Sequence, residues 1–243
     1  VSVCMMDLQN RYEELKRQNF PDSERIKFIA DLGASEEIGY HYKLICIDWD
    51  EGTNLNLSGS FYKHDKEGLE FLFEVLDNEK DDNLKVFTAY LMAETLSKLR
   101  HRDFYLEFCN RLIPAIISLI EIIDNLLRRK VIIALGWIGS SNEIDILTKQ
   151  MSEDKDSFCR AWSASSLMQM SFHGVDKELL QEKTKSCFAS VIAAENDLHA
   201  CGILIEAAGI LFGKKWISQS AVEDVDAEKI EKARKSAVRF LNK

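Results

Sequence analysis

Apolar residues recur at helical spacing along almost the whole chain. Met5, Leu8, Tyr12 and Leu15 share one face of a helix predicted over 2–19. Ile26, Ile29 and Leu32 share a face of the next, which Pro21 and Asp22 open and Gly33 stops. Leu69, Leu72, Phe73 and Leu76 predict a short helix. Val86, Ala89, Tyr90, Ala93 and Leu96 predict a longer one after an acidic turn. The same periodicity predicts helices over 103–120, with Pro114 as a kink, and over 125–139, 142–151, 157–172, 177–193 and 197–212. Residues 214–221 read as a connector, and 222–243 as a last amphipathic helix with Ile230, Ala233, Ala237 and Leu241 on its apolar face. Residues 36–62 break the rhythm. Their GYHYKLICIDW fits a helix over 36–48 followed by a loop over 50–60. Its aromatic and β-branched content also fits a strand, with TNLNLSGSF returning as a hairpin partner. Both readings stay open.

Between Ile122 and Met170 one pattern is written twice. At an offset of 32 residues, Asp124 falls on Asp156, Arg128 on Arg160 and Leu135 on Leu167. Leu127, Val131, Ala134 and Ile138 form the stripe of the first copy; Ala161, Ala164 and Met168 continue a similar stripe in the second. Ser140 stands three residues before Glu143, a capping-box spacing that starts another helix. Helix, turn and helix at a period in the thirties mark stacked helical hairpins, each burying its apolar face against its neighbours.

The segment LLRRKVIIALGWIG resembles the second helix of a HEAT repeat, or the related short repeats of the phycobilisome-lyase type. Leu127-Arg128 and Ala134-Leu135-Gly136 carry the resemblance. Cys159-Arg160 with Ser166-Leu167 follows it more loosely, and Leu84-Lys85 with Leu91 more loosely still. The resemblance implies an all-α, armadillo-like fold: a right-handed α-solenoid of about five stacked hairpins. It would be a single domain over 1–243, with 36–62 as an irregular insertion and 222–243 as a capping helix. It also implies binding of other macromolecules on a concave face lined by second helices, and it carries no catalytic residue.

Composition agrees with long helices and short turns: the 243 residues include only two prolines and eleven glycines. No uncharged apolar run is long enough to span a membrane, and the N-terminal stretch lacks the basic start and apolar core of a secretion signal. The six cysteines form no CxxC pair and sit mostly within helical patterns, as reduced thiols filling a core do, which points to a cytoplasmic setting. A net charge of −9 disfavours nucleic acid and anionic membrane as partners and favours a basic or neutral protein.

Candidate chemistry is sparse. His41, His64, His101, His173 and His199 show no metal-ligand spacing, and no P-loop, GxSxG or GxGxxG occurs, so neither a cofactor nor a metal is expected and the chain reads as a non-enzyme. The interhelix turns are repeatedly acidic, at Asp77, Glu79, Asp81 and Asp82, then Glu121 and Asp124, then Glu153, Asp154 and Asp156, then Glu195 and Asp197. Helix capping accounts for them. A ridge that attracts a basic partner is the second reading, and calcium a third, weakened by Asp82 standing where a calcium loop needs glycine. Trp162, Ser166, Gln169 and His173 fall on one helical line, and the 32-residue offset adds Lys130 and Trp137 from the neighbouring helix. Aromatic residues beside flexible polar ones suit a partner-binding surface, whereas burial of both tryptophans between repeats is the alternative. Asp124, Arg128, Gly136, Asp156 and Arg160 occupy repeat positions, where the resemblance implies that each arginine pairs with a turn aspartate.

Three functions follow. A protein-binding scaffold comes first. An acidic inhibitor or immunity-type protein masking a basic partner comes second. A HEAT-like alkylpurine glycosylase, suggested by Trp137, Trp162 and Arg160, comes last, because such grooves are basic.

Overall fold

A computed structural model describes residues 5–243; the first residues of the helix expected over 2–19, and Cys4, lie outside that range. The fold is all-α, with helices packed in the repeated manner of an α-solenoid, and no strand occurs among the described residues. It divides into two compact units, residues 1–108 and 109–243.

Unit 1 contains α1 (Met5–Arg17), α2 (Asp22–Ala34), α3 (Ile38–Glu51), α4 (Asp65–Asn78) and α5 (Asp82–Lys98). The break in the pattern at 36–62 resolves as helix. α3 ends at Gly52, whose φ of 63° is the left-handed conformation that closes helices. The strand-hairpin reading is therefore corrected. The expected loop over 50–60 is also shorter than predicted, because a 3-10 helix runs over Leu57–His64. Asp48 holds the intervening turn by accepting from the amide of Leu55 at 2.9 Å and the hydroxyl of Thr53 at 2.5 Å. The 3-10 helix packs against α2, α3, α4 and α5 and buries Leu57 and Phe61 completely. It interrupts the repeat in sequence and fills the centre of this unit in space. The aromatic residues that imitated a strand are there because they are core.

Unit 2 contains α7 (Asn125–Ile138), α8 (Ile144–Glu153), α9 (Ser157–Phe172), α10 (Lys177–Ala194), α11 (Leu198–Leu211), α12 (Gln219–Glu223) and α13 (Ala227–Leu241); the division between the units falls inside α6 (Tyr105–Ser118), which contains Pro114. α7, α9 and α11 pack side by side as one layer. α8, α10 and α13 form the other, and the pairs α8–α9 and α10–α11 close the hairpins. The residues predicted to face inward do so: Leu127, Val131, Ala134, Ile138, Ala161, Ala164 and Met168 are all buried. Ser140 and Glu143 make the predicted capping box, the Glu143 carboxylate accepting from the Ser140 amide at 2.7 Å. α13 packs against α10 and α11 with Ile230, Ala233, Ala237 and Leu241 buried. The connector expected over 214–221 differs only in that its end is already helical, as α12.

Candidate partner-binding surface

Each second helix of unit 2 begins on an aspartate. Asp124 accepts from the amides of Leu126 and Leu127, Asp156 from Cys159 and Asp197 from Ala200, which satisfies free donors at the positive helix end. Before two of these caps stands a second carboxylate, Asp154 or Glu195, which accepts the amide of the capping aspartate at 2.9 and 3.0 Å. Glu79 and Asp81 repeat the arrangement ahead of α5.

The repeat arginines join these turns. Arg128 donates two hydrogen bonds to Asp154, at 2.7 and 2.8 Å, and others to the carbonyls of Ile122 and Ile123. Arg160 donates to Glu195 at 2.8 Å and to the Asp154 carbonyl at 2.7 Å. Each arginine thus pairs with the turn acid of the following hairpin rather than with the cap of its own helix. The hydrogen bond to Asp154 raises the pKa of Arg128 and keeps it charged. Arg129 donates to Asp156 and lies 4.8 Å over the ring of Phe158. Burial pushes the Asp156 carboxyl up, but hydrogen bonds from Cys159 and Arg129 outweigh it and hold the pKa below the usual value. These carboxylates are engaged in caps and ion pairs, and no group of three or more metal-ligating side chains occurs among the described residues.

Residues 69–168 match the family model for HEAT repeats. Over that stretch the chain is similar to HEAT repeats. The match does not single out the lyase-type subgroup, and no curated protein and no solved structure matches the chain.

Burial defines the outer surface of the layer formed by α7, α9 and α11. On α9 the positions facing away from the core are Phe158, Trp162, Ser165 and Gln169, at i, i+4, i+7 and i+11. Their counterparts on α7 are Leu126, Lys130, Ile133 and Trp137. On α11 they are His199, Ile203, Glu206 and Ile210, reached by an offset of 41, since Asp197 corresponds to Asp156. Trp162 is 37% exposed, while Lys130, Trp137 and Gln169 are half-buried, so the structure brings these four predicted residues onto one surface. Partial burial lowers the pKa of Lys130. Phe158 stacks edge-on against His199 at 5.3 Å, so aromatic contact runs from α7 to α11 through Arg129, Phe158 and His199. His173 lies half-buried at the C-terminal end of the same helix.

Ser166 does not belong to this surface. It is only 3% exposed and donates to the carbonyl of Ile132 at 3.0 Å, at the crossing of α7 and α9. There it lies against Gly136, where an added Cβ would stand 2.6 Å from the Ser166 Cβ. Ser165, one position earlier, is the outward residue. Both fit the helical period about equally, and only the neighbouring helix decides between them. The α11 residues escaped the sequence reading because α10 has 18 residues where α8 has ten, which displaces the third copy from the 32-residue register.

Unit 1 adds two constellations that motif spacing did not show. Trp49 and Phe87 stack at 4.7 Å beside an open cleft of about 380 Å³ between α3 and α5. His41 and His64, 23 positions apart, meet in the core with ring nitrogens 2.8 Å apart. His41 Nε2–H donates to the Leu57 carbonyl at 2.9 Å, which leaves Nδ1 to accept from His64. None of the five cysteines among the described residues is joined in a disulfide.

Proposed function

We propose that this protein is a non-enzymatic scaffold that binds a protein partner on the outer surface of α7, α9 and α11. The observation that carries this reading is the continuity of that surface: Trp137, Trp162, Phe158 and Ile210 offer apolar and aromatic area, with Lys130, Gln169, His199 and Glu206 interleaved. Large aromatic side chains in a polar frame are what interface hot spots are made of. HEAT repeats generally mediate protein–protein interaction, which favours this use of the surface.

A basic partner captured by an acidic ridge finds less support, because Asp81, Asp124, Asp154, Asp156, Glu195 and Asp197 are already engaged by helix amides or arginines. Base excision finds less still. Arg160, which that reading places in a groove with the tryptophans, is held at the turn by Glu195 and the Asp154 carbonyl.

Site-specific photo-crosslinking tests the proposal. A photoreactive residue at position 162 is expected to trap one discrete protein in extract of the native source. The same group at Ser186, exposed on the other layer, is expected not to trap it. Equal trapping at both positions, or none at 162, overturns the reading.

A further inference from the structure

The charge of this chain is unevenly placed. Residues 213–243 carry eight Lys and Arg against five Asp and Glu, a net of +3, so the preceding 212 residues carry −12 of the total −9. Within this basic end, the connector after α11 and the outer side of α13 enclose an open cleft of about 520 Å³, lined by Lys215, Trp216, Ser218, Lys229, Lys232 and Ser236. Lys229 pairs with Asp226 at 2.8 Å, but Lys215 and Lys232 have no ion-pair partner among the described residues. Both are exposed. Trp216 is fixed at one wall by Phe240, 5.6 Å away, and Lys214 lies 4.8 Å over that same Phe240 ring. Arg234 is turned away, donating to the carbonyls of Ile192 and Glu195.

From this arrangement we infer that the cleft between the connector and α13 is a second docking site, and that it takes a short acidic peptide segment carrying an aromatic or aliphatic side chain. Lysines without carboxylate partners at the mouth supply the charge complement. Half-buried Trp216, with Ile217 and Ala233, supplies an apolar wall for one inserted side chain. The extent of the charge selects a short ligand over a nucleic acid. A positive end of net +3 on a chain of −9 attracts locally, within a Debye length of about 10 Å. A long polyanion would in addition meet the repulsion of the remaining −12. This site is independent of the surface on α7, α9 and α11, and neither depends on the other being right.

The test is fluorescence anisotropy with a fluorescein-labelled peptide of glutamates around one phenylalanine. The same peptide without the phenylalanine, its lysine counterpart and a short single-stranded oligothymidylate serve for comparison. The acidic phenylalanine peptide is expected to bind tightest, to lose affinity as salt rises and to change the emission of Trp216, a change absent in Trp216→Phe. Lys215→Glu with Lys232→Glu, both at exposed positions, is expected to keep the circular dichroism of the parent and to weaken binding about tenfold or more. Trp162→Ala is expected to leave it unchanged. Absence of binding, equal binding by the charge-reversed variant, or tighter binding of the oligothymidylate overturns the inference.

Discussion

Gly136 on α7 and Ser166 on α9 touch so closely that any side chain at position 136 would collide with the serine: a Cβ there would stand 2.6 Å from both its Cβ and its hydroxyl. The Ser166 hydroxyl is tied to the Ile132 carbonyl, so it cannot turn aside without leaving a buried donor unmet. Gly136→Ala is therefore expected to destabilise the protein by roughly 1–3 kcal/mol, the usual cost of overpacking, although alanine is the better helix former. Ser166→Gly in that background removes the obstructing Cβ. In a double-mutant cycle by denaturant unfolding, the pair is expected to be less destabilised than the sum of the single changes. Additive costs would mean that the two helices do not cross at these residues.

The arginine pairs tie successive hairpins at their turns, and their worth depends on burial. The Glu195 side chain is 1% exposed and that of Arg160 is 21% exposed. Glu195→Ala strands a half-buried guanidinium and also frees the Asp197 amide, so it is expected to cost about 3–5 kcal/mol. Lys183 and Asp145 form an ion pair at 3.0 Å on the open surface. Asp145→Ala is expected to cost under about 1 kcal/mol. Thermal unfolding of both variants checks the contrast, and similar shifts in the two would refute it.

The repeat was legible where local chemistry dictates it. Asp124 and Asp156 announced helix starts because a side-chain oxygen before an apolar stripe satisfies free amides, and the arginines were visible through their spacing. Other features depend on contacts that no local pattern carries. Ser165 and Ser166 are neighbours of the same type, and the approach of Gly136 alone decides which is buried. The segment 36–62 imitated a strand because Tyr40, Tyr42, Leu44, Ile45 and Phe61 are buried on several sides of a short helical path, and a residue buried all round leaves no polar face to set the period. His41 and His64 come together only because the 3-10 helix folds back over α3.

Trp162 separates the two sequence readings of the tryptophans, since a surface aromatic and a core aromatic differ in what they cost to remove. At 37% exposed, Trp162 is expected to tolerate alanine with a loss of about 1 kcal/mol or less. Leu167, on the same helix and fully buried, is expected to lose about 2–5 kcal/mol on the same change. Urea unfolding of both variants decides it. A Trp162→Ala cost equal to that of Leu167→Ala would place the indole in the core and remove it from any binding surface.

The histidine pair predicts how unit 1 responds to acid. Burial is the main cause lowering His41 from 6.5 to about 4, with the Leu57 hydrogen bond opposing it and His64 adding to it. Burial likewise lowers His64 to about 4, against a hydrogen bond to the Ser35 backbone. The fold thus favours neutral rings, whereas the unfolded chain binds protons with a pKa near 6.5. As pH falls below 6.5 the unfolded state takes up protons first, so stability present at pH 7 declines and continues to decline until the folded rings titrate near 4. Between pH 7 and pH 5 stability is therefore expected to fall steadily, with both rings acting in the same direction. Most surface carboxylates stay ionised over that window, so it isolates the histidines. Replacing both with leucine is expected to lower stability at pH 7, because the Leu57 carbonyl loses its donor, and to flatten the slope between pH 7 and pH 5. Urea midpoints for the parent that do not move over this range would show that the two rings titrate in the fold as they do in the unfolded chain.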